Sequence, residues 1–147
     1  MTVLCLPRDG SKRRTSGHSG LRLRPDPTEL GRAREFADTA AERFGLDRPG
    51  RDDFKLAASE AVANAIEHGL PLADGAIHVW ADEGEEALTL AVRNRGEFVF
   101  RPTPLDPLAD RGRGFTVMTG LVDRVALIRI GDEIQIELSK GRSDGNG

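Results

Sequence analysis

The stretch SEAVANAIEHG at residues 59–69 places three polar side chains four residues apart: Glu60, Asn64 and His68. In a helix of about 100° per residue each lies roughly 40° around the axis from the one before, so the three form a line. The line borders an apolar face, which consists of Phe54, Ala58, Val62, Ala65 and Ile66. Polar groups at such a border lose part of their hydration and need partners, which makes them candidates for binding a ligand.

A carboxylate and an amide one helical turn apart suit phosphate chemistry that depends on a cation. Mg²⁺ keeps several waters and takes few protein oxygens, so the oxygen of Asn64 together with ligand phosphates is sufficient. Glu60, near the cation but not bound to it, can accept a proton from a hydroxyl group or a water. Such a pair is also common on ordinary helix surfaces, so the pair alone does not establish catalysis.

Two glycine motifs further along the chain strengthen the catalytic interpretation. VRNRGEF contains Asn94 at the end of a predicted strand and Gly96 two residues later, and RGRGF places Gly112 and Gly114 directly before a predicted helix. Glycine lets the backbone approach a ligand closely, and amides at a helix N-terminus suit a phosphate. The P-loop and Rossmann fingerprints are both absent from the sequence.

The elements that must hold these residues follow an α+β pattern. The predicted order is strand, helix, helix, two strands, long loop, helix, two strands, over 21–24, 28–44, 54–68, 76–82, 87–94, 115–122, 124–130 and 133–138. The first helix is predicted to stop at Gly45, and Asp52 or Asp53 to form the N-cap of the second. Two antiparallel hairpins with separate helices favour an α+β two-layer sandwich with the helices on one face.

The domain boundaries follow from composition. Residues 1–20 are polar, basic and rich in Gly and Ser, which predicts a flexible N-terminal arm, and 140–147 predict a flexible tail. One domain occupies 21–139, and a Pro/Gly-rich stretch from about 99 to 113 is too irregular for a helix or strand. A loop of this length in a compact domain is usually functional or disordered.

Bulk composition excludes several classes of protein. The net charge of −3 over 147 residues argues against a general nucleic-acid binder. A single cysteine, Cys5, rules out a disulfide framework within the chain and favours a reducing cytoplasm. No apolar run approaches the roughly 20 residues needed to cross a membrane. We therefore expect a cytoplasmic protein with no direct nucleic-acid or membrane partner.

The motifs taken together resemble those of the bacterial anti-sigma-factor serine/threonine-protein kinases, small ATP-binding regulators of the GHKL superfamily. SEAVANAIEHG resembles the N box, VRNRGEF occupies the place of the first glycine box, and GRGFTVMTGLVDRV resembles the second glycine box with its following helix. The resemblance extends over residues 21–139. It implies the histidine-kinase-like ATPase fold, a mixed and mostly antiparallel sheet with helices on one face.

The resemblance also implies roles for individual residues. Glu60 would be the general base that activates a substrate serine, and Asn64 would ligate Mg²⁺. Asn94 stands where the family usually has an aspartate that reads the adenine amino group, and Gly96 would lie under the adenine. An asparagine can still offer its oxygen to the amine and its NH₂ to the neighbouring ring nitrogen.

The phosphate end of the implied site lies in the second glycine box. Gly112 and Gly114 would lie near the phosphates, at the end of an ATP lid formed by about 99–113. Arg111 and Arg113 would add charge-assisted phosphate contacts. A second departure from the family motif is Phe98, which replaces a further glycine and would either pack on the base or block the pocket.

The function implied is that of an anti-sigma factor with ATP-dependent protein-serine kinase activity. Such a protein sequesters a sigma factor and phosphorylates a STAS-type anti-anti-sigma protein with ATP and Mg²⁺; homodimerisation is usual in the family. The alternative is a degenerate binding module of the same fold, which the changes at Asn94 and Phe98 favour. The catalytic domain of a split histidine kinase is a third interpretation, but no phosphoacceptor helix is visible, because His18 falls in the polar arm and His68 in the N box.

Overall fold

The computed structural model describes residues 2–7, 20–96 and 120–142. The described residues contain two α-helices and six strands: β1 (Thr2–Pro7), β2 (Gly20–Leu23), α1 (Leu30–Phe44), α2 (Arg48–His68), β3 (Ile77–Glu83), β4 (Ala87–Arg95), β5 (Arg124–Ile130) and β6 (Glu133–Gly141). A short 3-10 helix, Pro27–Glu29, precedes α1. The strands form one sheet in the order β1-β5-β6-β4-β3-β2. Only the β1–β5 pairing is parallel among these strands.

The helices form a second layer on one face of this sheet. Alternate residues of β4, namely Leu88, Leu90 and Val92, are buried in the same core as Phe54 and Val62 of α2. Strand alternation sends every second side chain to that face, and the helices cover it. The predicted α+β two-layer sandwich, with a mixed and mostly antiparallel sheet and helices on one face, is therefore confirmed.

Strand β1 corrects the prediction that all of residues 1–20 form a flexible arm. Thr2 to Pro7 pair in parallel with Arg124 to Arg129 of β5 and extend the sheet by one strand. The segment TVLCLP contains the chain's first apolar run, which suits a strand better than the basic and glycine-rich residues that follow. The remainder of the predicted arm, residues 8–19, lies outside the described residues.

Helix α2 begins at Arg48, six residues earlier than the predicted start at Phe54. Its N-cap is Asp47, whose carboxylate accepts a 2.9 Å hydrogen bond from the Gly50 amide, and neither Asp52 nor Asp53 has this role. The sequence DRPG reads as a turn because it contains Pro and Gly. Proline is nevertheless favoured in a first helical turn, where its missing N–H leaves no bond unmade.

We expect Asp47→Ala to lower the free energy of unfolding by about 1 kcal/mol, the usual cost of losing an N-cap. For a chain of this length that corresponds to a fall of roughly 3 °C in the thermal midpoint. Asp52→Ala is the matched control: Asp52 is exposed, so this change should leave the midpoint within about 1 °C, since surface changes away from caps cost little. Equal losses in the two variants, measured by calorimetry, would contradict the assignment of Asp47 as the cap.

An ion pair between the helices sets the position of α2. Arg51 of α2 donates to both carboxylate oxygens of Asp38 on α1, at 3.3 and 3.1 Å. These hydrogen bonds lower the pKa of Asp38, so the carboxylate stays charged at neutral pH. A two-bonded guanidinium–carboxylate pair restricts geometry as well as contributing energy. It therefore helps to fix the helix that carries Glu60 and Asn64.

Other predicted elements agree closely with the structure. Gly45 ends α1 in the left-handed conformation, with φ of 98°. Strand β6 continues to Gly141, two residues into the predicted tail. Of the predicted helix 115–122, only Gly120 to Val122 are described, and the first two of these are helical. Neither helix of the described ranges is long and apolar enough to span a bilayer.

Candidate functional site

A cavity opens between the C-terminal half of α2, the end of β4 and strand β6. It is lined by Ala61, Asn64, Ala65, His68, Gly69, Asn94, Ile134 and Ile136. Helix α2 supplies its residues at intervals of three and four, and β6 supplies two from alternate positions. The cavity therefore lies at the border of the helix layer and the sheet.

The polar line of α2 contributes Asn64 and His68 to this cavity. Ala61 and Ala65, which flank Asn64 on the helix, are buried and small, so they leave room for a ligand. Glu60 is half-buried and lies one turn before Asn64. It is not among the residues that line the cavity.

Asn94 enters the cavity from β4 and is only 6% exposed. Its Nδ2 donates a 3.0 Å hydrogen bond to the backbone oxygen of Arg95. A buried amide must satisfy its polar atoms, and this bond employs the nitrogen within the chain. One of the two hydrogens of the Asn94 NH₂ group is therefore already engaged within the chain.

Backbone hydrogen bonds join the end of α2 to the end of β4. Leu70 and Arg95 exchange two of them, at 2.9 and 2.8 Å. Gly96 follows with φ of 104°, a conformation that L side chains rarely adopt, and its amide donates to the Asp132 oxygen at 3.0 Å. The glycine predicted to lie under a base is thus required by the turn, and it lies close to the backbone of Gly69 and Leu70.

Three lining residues received no role from sequence reasoning. Ile134 and Ile136 come from β6, and their alternation in EIQIEL signalled a buried face without saying what they would border. Gly69 follows directly after the predicted helix 54–68, and its residue type indicates only the end of a helix. Nothing in a single strand or turn shows that these residues approach Asn64 and Asn94, because the contact arises from sheet order.

The second half of the predicted site cannot be placed. The residues expected near the phosphates, Arg111, Gly112, Arg113 and Gly114, lie outside the described residues, as do the predicted lid at 99–113 and Phe98. Of the predicted site residues, Asn64 and Asn94 line the cavity, while Glu60 and Gly96 are described but are not among its lining residues. The remaining predicted site residues lie outside the described residues.

The residues present suit a nucleotide with its cation. Apolar walls from Ile134 and Ile136 face two amide side chains, which is the usual composition of a small-molecule site. The described residues contain no cluster of three or more His, Cys, Asp or Glu side chains that would hold a metal alone. The Asn64 side chain offers one oxygen, and Mg²⁺ is a cation that takes few protein oxygens and keeps several waters.

Comparisons with known proteins agree with this geometry. The profile of the histidine kinase-like ATPase domain family matches residues 23–140. A curated relative, the anti-sigma F factor of Clostridium acetobutylicum, is 34% identical over 99 residues, which cover 62% of this chain and 63% of that protein. The matched part therefore spans less than two thirds of the relative's length.

A solved structure shares the fold at low sequence identity. The chain from Mycobacterium tuberculosis that contains RsbU and RsbW domains superposes with a TM-score of 0.64 at 20% identity. The match covers 88% of this chain and 33% of that one. At this identity the likeness concerns the arrangement of strands and helices and does not extend to chemistry.

Proposed function

Because the chain belongs to the histidine kinase-like ATPase domain family, we propose that it binds MgATP in the cavity between α2, β4 and β6. We propose further that it is an anti-sigma factor and a protein-serine kinase, which sequesters a sigma factor and phosphorylates a STAS-type anti-anti-sigma protein. The supporting observation is that Asn64 and Asn94, from a helix and a strand, line one cavity.

The base end of the proposed nucleotide site is built around Asn94. Its carbonyl oxygen accepts a hydrogen bond from the exocyclic amine of adenine, while its nitrogen remains bonded to the Arg95 oxygen. Ile134 and Ile136 supply apolar surface for the ring. Burial of the amide strengthens this recognition, because a wrong base leaves a buried acceptor unpaired.

The phosphate end is built around Asn64 and Glu60. Bound MgATP supplies an electrophilic γ-phosphoryl group whose charge the cation offsets. Asn64 holds the cation through its side-chain oxygen. Glu60, one turn away on α2, accepts the proton of the incoming serine hydroxyl. The proposed lid at about 99–113, with Gly112 and Gly114 and the guanidinium groups of Arg111 and Arg113, completes the phosphate contacts.

The proposed partners follow from the relative and from the chemistry. The Clostridium acetobutylicum protein is named as an anti-sigma factor, which supports a sigma factor as one partner of this chain. A substrate that presents a serine next to Glu60 is the second partner. Both would meet the protein in the cytoplasm, and ligation state would shift which of the two is favoured. Homodimerisation, usual among the kinases this sequence resembles, belongs to the same proposal.

Calorimetric titration with ATP, in the presence and absence of Mg²⁺, tests the nucleotide site. We expect binding that requires Mg²⁺, followed by transfer of labelled phosphate from ATP to a serine of a co-purified STAS-type protein. Absence of any binding at millimolar ATP would refute the nucleotide site, and binding without transfer to any partner would refute the kinase.

A second candidate function is a binding module of the same fold without phosphoryl transfer. The observation that favours it is the amide at position 94, where related kinases usually carry a carboxylate. Sigma-factor capture with undiminished affinity in the absence of ATP, together with no labelled product, would support the module over the kinase.

A further inference from the structure

We propose that Gly69 is a positioning residue for the Asn94 amide and so determines which nucleotide base the cavity accepts. The inference depends on the proposed nucleotide site for its functional part. Its structural part, the steric coupling of the two residues, holds whether or not a nucleotide binds.

The geometry shows that position 69 has no space for a side chain. A Cβ atom built on Gly69 would lie 1.8 Å from Nδ2 and 3.0 Å from Cγ of Asn94, and 2.9 Å from the backbone oxygen of Ala65. Contacts below 3.0 Å essentially do not occur for real Cβ atoms. A side chain at position 69 therefore requires the Asn94 amide to move, and it also presses on the backbone oxygen of Ala65.

Backbone conformation does not explain the glycine. Gly69 has φ of −111° and ψ of −174°, an extended conformation that any residue adopts. Its amide caps α2 by donating to the Ala65 oxygen at 3.0 Å, a bond that alanine would also make. The Asn94 amide occupies the volume where a Cβ of residue 69 would lie. Glycine is therefore needed at this position because it has no side chain.

The position of Asn94 then fixes the direction of its two polar atoms. The nitrogen branch is nearer to Gly69 than Cγ is, so the oxygen branch lies on the far side of the amide. The nitrogen also donates to the Arg95 oxygen, and Arg95 in turn is bonded to Leu70, the residue after Gly69. Hydrogen bonds thus connect the Asn94 amide to the end of β4, and the end of β4 to the end of α2.

This orientation favours a base that carries an exocyclic amine. An amide oxygen accepts from the amine of adenine, whereas the corresponding carbonyl of hypoxanthine offers only another acceptor. A buried acceptor that faces an acceptor loses its hydrogen bond and repels the ligand. Displacement of the amide by a side chain at position 69 would remove this discrimination.

A double-mutant cycle tests the steric coupling with Gly69→Ala, Asn94→Ala and the combined variant. We expect Gly69→Ala to lower the thermal midpoint by about 5 °C or more, because overpacking strains the site. Added to Asn94→Ala, the same change should cost less, since the clash with the amide is gone and the 2.9 Å contact with the Ala65 oxygen remains. Gly31→Ala is the matched control: Gly31 is exposed on α1 with open space around its Cβ position, so its midpoint should not fall.

Calorimetry with ATP and inosine triphosphate, both with Mg²⁺, tests the specificity. The parent protein should prefer ATP by at least about tenfold, and Gly69→Ala should reduce this preference below about threefold. The Gly31→Ala control should keep the parent preference. A change in the ratio distinguishes positioning from a general loss of stability, which would weaken both nucleotides together.

Each outcome decides the inference. The inference is overturned if Gly69→Ala lowers the thermal midpoint equally in the parent protein and in Asn94→Ala. It is also overturned if Gly69→Ala keeps the parent preference for ATP over inosine triphosphate. Where Gly69→Ala fails to fold, recovery of folding in the combined variant supports the coupling and its absence contradicts it. If the parent protein binds neither nucleotide, the proposed function fails, and the thermal cycle still tests the coupling of Gly69 with Asn94.

Discussion

Replacement of Glu60 by alanine is expected to reduce phosphate transfer by about 10²–10⁴-fold, the usual contribution of a positioned general base. ATP affinity should change little, because Glu60 is not among the residues that line the cavity. Transfer of labelled phosphate to the partner and calorimetric titration with MgATP, carried out on the same preparation, measure the two quantities separately.

Two further variants distinguish basicity from structure. Glu60→Gln keeps the size of the side chain but not its proton affinity, so it should lose transfer to a similar extent. Asp52→Ala removes a carboxylate two turns earlier on the same helix, where it is exposed and pairs only loosely with Arg48 at 3.8 Å, and should transfer at the parent rate. Transfer at the parent rate in Glu60→Ala would show that another group accepts the proton.

Replacement of Asn64 by alanine is expected to abolish the Mg²⁺-dependent part of ATP binding. Loss of a group that only orients a metal ligand already costs about 10–100-fold in affinity, so loss of the one proposed protein ligand should cost at least about 100-fold. The cavity itself should persist, since Ala61 and Ala65 on either side of Asn64 are buried in the core. Titrations with Mg²⁺ and with EDTA measure the cation-dependent part.

The conservative variant Asn64→Asp keeps an oxygen at the same place and is expected to retain Mg²⁺-dependent binding. Recovery in the aspartate variant with loss in the alanine variant would identify the side-chain oxygen as the ligand. Affinity for MgATP that is unchanged in Asn64→Ala would exclude Asn64 from the cation site.

The family resemblance could be recognised from the sequence because its motifs are local. The N box has Glu60 and Asn64 four residues apart, a spacing that one helix enforces, and each glycine box is a few residues long. Resemblance to a GHKL-type kinase is supported by the match to the histidine kinase-like ATPase domain family over residues 23–140. The roles of individual site residues remain predictions.

Two element boundaries could not be predicted, each for a physical reason. Pro49 and Gly50 are tolerated in the first turn of a helix and are equally common in a loop. The residue types alone therefore do not show whether α2 begins before or after them. Strand β1 depends on pairing with β5, which lies more than 100 residues later in the chain. A short apolar run has no strong preference for the strand conformation unless a neighbouring strand is available to pair with it.

Local periodicity and turn chemistry were sufficient to predict the helices, the hairpins and the fold class. They also predicted that Glu60 and Asn64 lie one helical turn apart. The order of strands in the sheet decided which distant residues line the cavity. Because β6 lies between β5 and β4, it brings Ile134 and Ile136 beneath α2. Because α2 and β4 end side by side, the Asn94 amide fills the space that Gly69 leaves open. Contacts between segments distant in sequence depend on packing in three dimensions, and no local pattern encodes them.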